Sequence, residues 1–189
     1  MKKIMLILLC VFVVQISHCY AENVYLLCRT LANINLREGP SVKDPKICQI
    51  PKNAYFVAII DDESPKLHEG DFVYGLYIDK DVYGYACVDY LDEEKELETD
   101  RGGILSKAGN SYGYDPEVEI TNDTNRNITV QINGTNFPFS PHQIRTITCA
   151  PGSVSILASS PGVIPYSATD YVSENSLYTW KFYIKTRYR

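Results

Sequence analysis

The alternation of apolar and polar residues along this chain predicts strands. Tyr, Val, Ile, Thr and Phe, which favour strands, are abundant, and Gly and Pro often interrupt the alternating segments. No segment carries an apolar stripe of helical period for longer than two turns. We therefore expect an all-β protein built from short strands and tight turns.

In the first half, turn-forming residues separate the alternating segments. The predicted strands are Val24 to Leu36, Tyr55 to Ile60, Phe72 to Ile78 and Tyr83 to Val88. Pro51-Lys52-Asn53 and the polar segment 61–70 are predicted turns, because Pro, Asn, Asp and Gly favour turn conformations. The run from Asn35 to Ser41 predicts a strand that ends in a sharp loop at Gly39-Pro40.

The second half contains the clearest hairpin. Ile128 to Ile132 and Thr135 to Phe139 flank Asn133-Gly134, and Asn-Gly supplies the two positive φ angles of a type I′ turn. Further strands are predicted at Val118 to Thr121, Ile144 to Cys149, Val154 to Ala158 and Ser176 to Lys185. One face of the last strand is aromatic and apolar, which is typical of a core strand. Short strands with frequent turns favour a sandwich over a helical fold.

Between the halves the composition changes. Asp92 to Glu98 is a charged run, and 101–114 is rich in Gly and Ser. A solvated linker is the simpler interpretation of the charged run, although one or two helical turns also fit. We therefore divide the chain into a leader (1–21), a first domain (22–92), a linker (93–116) and a second domain (117–189).

Residues 1–21 have the pattern of a cleaved secretory signal. Lys2 and Lys3 precede an apolar run from Ile4 to Val14, and Cys19-Tyr20-Ala21 offers the small residues of a cleavage site. The run is shorter than the about 20 residues of a membrane-spanning helix. Lipid attachment at Cys19 is the alternative, but His18 stands where such processing prefers a small residue. We expect export to the periplasm or cell surface, without a transmembrane segment.

Charge and cysteine content restrict the partners. The formal net charge of −5 becomes −7 without Lys2 and Lys3, which disfavours nucleic acid and anionic membranes as partners. In an exported protein, cysteines are disulfide candidates, and either two bridges or one bridge with two free thiols would fit. The candidates are Cys28, Cys48, Cys87 and Cys149.

Three motifs of the first half occur in a familiar order. They are Ile34 to Ser41, the turn Pro51-Lys52-Asn53, and Gly84-Tyr85 followed by Tyr90-Leu91. In this order they resemble the bacterial SH3-like domains, which open on Leu-x-Val-Arg-x-Gly-Pro-Ser. The Trp usual in the third strand of that family is missing, and Asn53 stands where Gly is common. The resemblance implies a small β-barrel that binds cell-wall peptide or glycan.

In the second half, Pro151-Gly152 opens a predicted strand that is followed by Pro161-Gly162. This spacing is similar to PEGA-type and related carbohydrate-regulatory-like repeats of bacteria, in which a Pro-Gly turn starts a strand and a second one ends it. The resemblance implies a small β-sandwich for residues 117–189.

Patterns for catalysis are poor. A cysteine peptidase needs a nucleophilic Cys at the start of a helix with a His in reach, but Cys149 lies in a predicted strand. The only histidines after the leader are His68 and His142, too few for a typical catalytic zinc site. Acidic runs such as Asp79-Lys80-Asp81 fall in predicted turns, where solvated charge is the usual explanation. We expect a protein that is not an enzyme and has no metal or cofactor.

Tyrosines of the first half remain as candidates for binding. We predict Tyr74, Tyr77 and Tyr83 as ligand contacts, because small β-barrels often hold peptides or glycans in an aromatic groove. Strand tyrosines also pack in cores. The expected function is non-catalytic binding of cell-wall peptide or glycan. The alternative is a scaffold or inhibitor that docks on an envelope enzyme through an edge strand.

Overall fold

The computed structural model describes residues 23–61, 67 and 70–183, so the predicted leader, Cys19 and His68 lie outside the described residues. The described chain is all-β, as its alternation predicts, with one 3₁₀ turn at Val88–Tyr90. The strands are β1 (Asn23–Thr30), β2 (Ile34–Arg37), β3 (Lys46–Ile50), β4 (Tyr55–Asp61), β5 (Phe72–Tyr77), β6 (Val82–Cys87), β7 (Leu91–Glu96), β8 (Thr99–Arg101), β9 (Ser106–Gly109), β10 (Glu117–Asn122), β11 (Ile128–Ile132), β12 (Thr135–Phe139), β13 (Ile144–Thr148), β14 (Gly152–Ser160), β15 (Val163–Val172) and β16 (Leu177–Phe182).

The first half forms one seven-stranded sheet with the order β3-β2-β6-β5-β4-β1-β7. Buried residues from six of these strands, such as Leu26, Leu36, Phe56 and Tyr77, belong to one cluster, so the sheet curls around its own core. The closed barrel that we expected is not formed. The reason is that β7 occupies the edge of β1 that closure onto β3 would need, and β3 and β7 remain the two edges.

The second half is a sandwich, in agreement with the expected architecture. A four-stranded sheet (β13-β10-β16-β9) faces a five-stranded sheet (β12-β11-β14-β15-β8). Alternate side chains of both sheets meet in one core, with Ile120 and Phe182 from the first sheet and Val130 and Ile156 from the second.

The Asn133-Gly134 hairpin forms as predicted. Its two strands pair from Ile132↔Thr135 to Ile128↔Phe139, and both turn residues have positive φ, 47° and 80°. By contrast, β15 has no counterpart among the predicted strands. It contains Pro165, which is tolerated because the pairing of β14 with β15 is bulged at this end, between Ala158 and Ser160.

The segment 93–116 carries strands where we expected a solvated linker. β7 includes most of the acidic run and pairs with β1, while β8 pairs with β15 and β9 pairs with β16. A charged sequence suits an edge strand, since one side of it faces solvent. The three consecutive strands therefore join three different sheets.

The two halves pack against each other through an apolar cluster. Leu157 points out of the five-stranded sheet, away from the sandwich core, and is fully buried against the first sheet. Its neighbours there include Tyr25, Leu76 and Ile78 of the first half. An apolar contact of this kind holds the halves in one arrangement.

The turn between β5 and β6 adds polar contacts to this interface. Asp81 accepts hydrogen bonds from the hydroxyls of Ser159 (2.5 Å) and Thr129 (2.7 Å), and the Gly162 N–H donates to the carbonyl of Ile78 (2.9 Å). We expected Asp81 to be a solvated turn charge. Its carboxylate instead joins the first half to two strands of the second, a role that depends on long-range contacts invisible in the local pattern.

Candidate functional site

Two of the three tyrosines predicted as ligand contacts lie together. Tyr74 on β5 and Tyr83 on β6 are stacked, with ring centroids 6.1 Å apart and planes inclined by 23°. Tyr85 extends the row, at 5.2 Å from Tyr74. We call Tyr74, Tyr83 and Tyr85 the tyrosine face. They share one face of the first sheet because Tyr74 pairs with Tyr85 and Tyr83 lies two residues away.

Tyr77, the third predicted contact, lies on the opposite face of the sheet. It is 3% exposed within the core of the first half, and its hydroxyl donates to Asp79 at 3.3 Å. A ring so covered cannot offer a surface to a ligand. The prediction for Tyr77 is therefore corrected to a core role, which follows from the alternation of side chains along β5.

Tyr83 is the end of the tyrosine face nearest the second half. Its ring packs against the cluster around Leu157, and its buried hydroxyl makes no hydrogen bond. Burial, only partly offset by the neighbouring Ser159 hydroxyl, raises the pKa of Tyr83. This end of the tyrosine face is therefore part of the interface between the halves.

A cavity of about 720 Å³ lies in the second half, between the two sheets of the sandwich. It opens where two short strands stop. β9 pairs with β16 only up to Thr179, and β8 pairs with β15 only from Ser167 onward. Within the described residues, the facing edges of β15 and β16 beyond these points border the cavity.

Aromatic rings form the wall of this cavity. Trp180 on β16 lies with its ring centroid 6.4 Å from that of Tyr166 on β15 and 5.8 Å from that of Phe182, which it meets edge-on at 83°. Trp180 and Tyr166 are half-buried, and the exposed Tyr183 lies at the same opening. We call the cavity bordered by Tyr166, Trp180, Phe182 and Tyr183 the aromatic pocket.

A carboxylate is fixed at the rim of the aromatic pocket. The hydroxyl of Tyr166 donates to Asp100 Oδ2 at 2.5 Å, which joins β15 to β8. Burial and the hydrogen bond to Asp100 raise the pKa of Tyr166, so the hydroxyl stays protonated and continues to donate. Asp100 also lines the pocket, so its carboxylate can accept a hydrogen bond from a ligand.

Sequence reasoning missed this site for separate reasons. Trp180 is the only tryptophan of the chain and was assigned to the core because its strand has an aromatic face. Tyr166 lies in a strand interrupted by Pro165, and Asp100 lies in the predicted linker. The one signal of this site in the sequence was Trp180 itself, the single tryptophan of the chain.

His142 and Cys149, the pair considered for a catalytic dyad, lie beyond opposite ends of β13. His142 precedes β13 and contacts Asn125, whereas Cys149 follows that strand and packs against the sandwich core. Seven residues of extended chain at about 3.3 Å each place them roughly 20 Å apart. The four thiols Cys28, Cys48, Cys87 and Cys149 are free in the structure, so their pairing stays a prediction.

Residues 23–61, 67 and 70–183 contain neither a metal-binding group nor a membrane-spanning helix. No group of three or more His, Cys, Asp or Glu side chains is arranged to hold a metal ion there. No helix in the same residues is long and apolar enough to cross a membrane.

Comparisons with known proteins returned no similar protein. No protein-family model matches the chain, no curated protein matches it, and no solved structure matches it. The resemblance of the first half to bacterial SH3-like domains therefore stays a prediction, as does that of the second half to PEGA-type repeats.

Proposed function

We propose that this chain is an exported, non-catalytic binding protein that holds a cell-wall glycan in the aromatic pocket. The observation that carries the proposal is the row of rings around Trp180 beside the carboxylate of Asp100. Aromatic rings offer apolar faces to the C–H side of a sugar, while a carboxylate accepts hydrogen bonds from its hydroxyls. The export signal predicted at 1–21 and the resemblance of the first half to SH3-like domains support the cell wall as the source of the ligand.

The size of the aromatic pocket supports a small or oligomeric ligand. Its volume of about 720 Å³ falls within the range of about 300 to 1,000 Å³ typical of ligand sites. Such sites combine apolar and aromatic walls with a few polar groups, which here include Asp100 and Thr179.

The edges of the sheets favour a glycan over a partner strand. A peptide that adds to a sheet needs an edge with free N–H and C=O groups. Pro165 removes an N–H from β15 beside the pocket, Pro138 does so on the edge strand β12, and the edge strand β7 is acidic. Proline and charge oppose strand addition at these three strands, so they give the docking alternative less support.

Binding to purified peptidoglycan tests the proposal. The mature chain should be retained by insoluble peptidoglycan, and Trp180→Ala should reduce the retained fraction by about tenfold or more, because stacking rings carry much of such binding energy. Tyr112→Ala is the matched control, since Tyr112 is fully exposed on a loop outside the pocket. Thermal unfolding of both variants checks that they fold.

Retention of the Trp180→Ala variant at the level of the original protein would show that the aromatic pocket is not the binding site. Failure of the original protein to bind peptidoglycan at all would show that the ligand is not from the cell wall. Soluble fragments can be followed directly, because Trp180 is the only tryptophan and its emission reports on the pocket.

A further inference from the structure

The charged groups that the described residues place around the aromatic pocket are mostly acidic. Asp100 lies in its lining, and Asp170 lies behind Tyr166, whose pKa its charge helps to raise. Asp170 is held in place, since its two oxygens accept hydrogen bonds from the N–H groups of Leu105 (2.8 Å) and Tyr171 (2.8 Å).

Lys181, the one cation that the described residues place in the lining, is offset by a third carboxylate. Lys181 Nζ lies 2.9 Å from Asp123 Oδ2, and both side chains are at the surface. The next residue after Asp100, Arg101, belongs to the opposite face of β8 because successive side chains of a strand alternate. Among the described residues, carboxylates therefore outnumber cations at the opening of the pocket.

We infer that the aromatic pocket selects a glycan that carries a protonated amine, with the ammonium at Asp100 and the sugar against Trp180. A cation beside a carboxylate and over aromatic faces gains from both, because the rings present their negative faces to it. The hydrogen bond from Tyr166 fixes the carboxylate of Asp100 at the rim of the pocket. The inference rests on the proposed glycan-binding function and adds the class of sugar: one with a free rather than an acetylated amine.

The test compares two probes that differ in the amine alone. At about pH 6 the glucosamine tetramer is cationic and the N-acetylglucosamine tetramer is neutral, because this pH lies well below the pKa of about 8 of an α-amino group, to which the amine of a sugar is similar. Titration is followed by the emission of Trp180 at low and at high salt. We expect the cationic tetramer to bind about tenfold more tightly at low salt, and the difference to shrink at high salt, because screening weakens a charge pair at an exposed rim.

Asp100→Asn separates charge from shape. It removes the negative charge but keeps an oxygen that can accept from Tyr166, so the cationic tetramer should lose more affinity than the neutral one and the preference should fall to about twofold or less. Asp92→Asn is the matched control, because it makes the same change of net charge on the exposed strand β7, outside the pocket lining. It should leave the preference unchanged.

Three outcomes would overturn the inference: equal or tighter binding of the N-acetylated tetramer, a preference that survives Asp100→Asn, or no change of Trp180 emission with either probe. The proposed function fails separately. If peptidoglycan does not retain the protein but the cationic tetramer binds through Asp100, the cell-wall ligand is wrong and the amine selectivity stands. If peptidoglycan retains the protein through Trp180 and the two tetramers bind equally, the cell-wall ligand stands and the amine selectivity is wrong.

Discussion

The tyrosine face of the first half and the aromatic pocket of the second half contain similar rings in different surroundings. Tyr83 lies against the five-stranded sheet, so its ring is fixed between the two halves. Trp180 lies where β8 and β9 end, so nothing in the described chain covers the opening in front of it. Whether an aromatic strand residue is accessible to a ligand thus depends on what its neighbouring strands leave uncovered, which residue type alone does not show.

Truncation of Leu157, the side chain that packs on the first sheet, should have the largest effect on stability. Leu157→Ala should lower the free energy of unfolding by about 2 to 5 kcal/mol, since Leu157 is fully buried between the halves. Ile164→Ala, at a side chain that is 52% exposed, should change it by about 0.5 kcal/mol or less. Guanidinium unfolding measures both. Equal small effects would mean that the halves do not pack in solution, and the contrast between the two aromatic groups would be lost.

Removal of the Asp81 carboxylate should have the next largest effect. Asp81→Gly deletes the acceptor of the Ser159 and Thr129 hydroxyls, which should cost about 1 to 3 kcal/mol of stability. Glycine is chosen because φ at this position is 54°, a conformation that alanine resists. Lys80→Ala in the same turn is the control and should be nearly neutral. A neutral Asp81→Gly would show that the turn is solvated, as the sequence suggested.

Hydroxyl deletion should be more favourable to stability at Tyr83 than at Tyr166. Tyr83→Phe should raise stability by about 1 kcal/mol or leave it unchanged, because its buried hydroxyl has no hydrogen bond. Tyr166→Phe should not stabilise, since its hydroxyl donates to Asp100. Thermal unfolding of the pair measures the difference. Destabilisation by Tyr83→Phe would reveal a partner for that hydroxyl and contradict the structure.

The burial of Tyr83 should also make the protein less stable at alkaline pH. The pKa of Tyr83 is raised in the folded chain above the value of 10.0 of a free tyrosine. Between these pKa values the unfolded chain loses a proton that the folded chain keeps, so the contribution of Tyr83 is fully present below about pH 10 and is lost as pH rises above it, by about 1 kcal/mol at pH 11. Unfolding at a series of pH values checks this, and Tyr83→Phe should reduce the slope. An unchanged slope would assign the loss to other groups.

Thiol reactivity gives the smallest and most local contrast. Burial, assisted by the charge of Glu93, raises the pKa of Cys28 to about 12, so its thiolate is scarce and its sulfur is covered. An aromatic disulfide reagent at about pH 8 should leave Cys28 unmodified in the folded chain and modify it after unfolding. Cys28→Ser identifies its share of the signal. Rapid reaction in the folded chain would contradict its burial, and absence of free thiols after unfolding would favour the disulfides.

Much of the strand map was predictable from local pattern. The Asn133-Gly134 hairpin, the strand ending at Arg37 and the strand bounded by Pro151 and Pro161 all depend on turn chemistry that acts over a few residues. The all-β class follows from the same alternation. Local pattern failed for β15, where Pro165 is accommodated by a bulge, and for β7, where charge suits an edge.

The candidate site was less predictable, because it is assembled from distant segments. Asp100 and Tyr166 meet across 66 positions of sequence, and neither lies in a motif. Tyr77 was misassigned because the face that a strand residue presents depends on which side of the sheet the chain later covers. Both depend on tertiary packing, which a single sequence does not display.

The segment from Leu91 to Gly109, which gives one strand to each of three sheets, also limits how this protein can be rearranged. A genetic exchange of halves at the composition change after Asp92 would divide β7 between two parents. The same exchange would supply the sandwich with foreign versions of β8 and β9, the strands whose ends frame the opening beside Trp180. Chimeras joined there would inherit one parent's pocket wall and the other parent's rim, so ligand choice in such chimeras should follow the origin of the connecting segment as much as that of the sandwich.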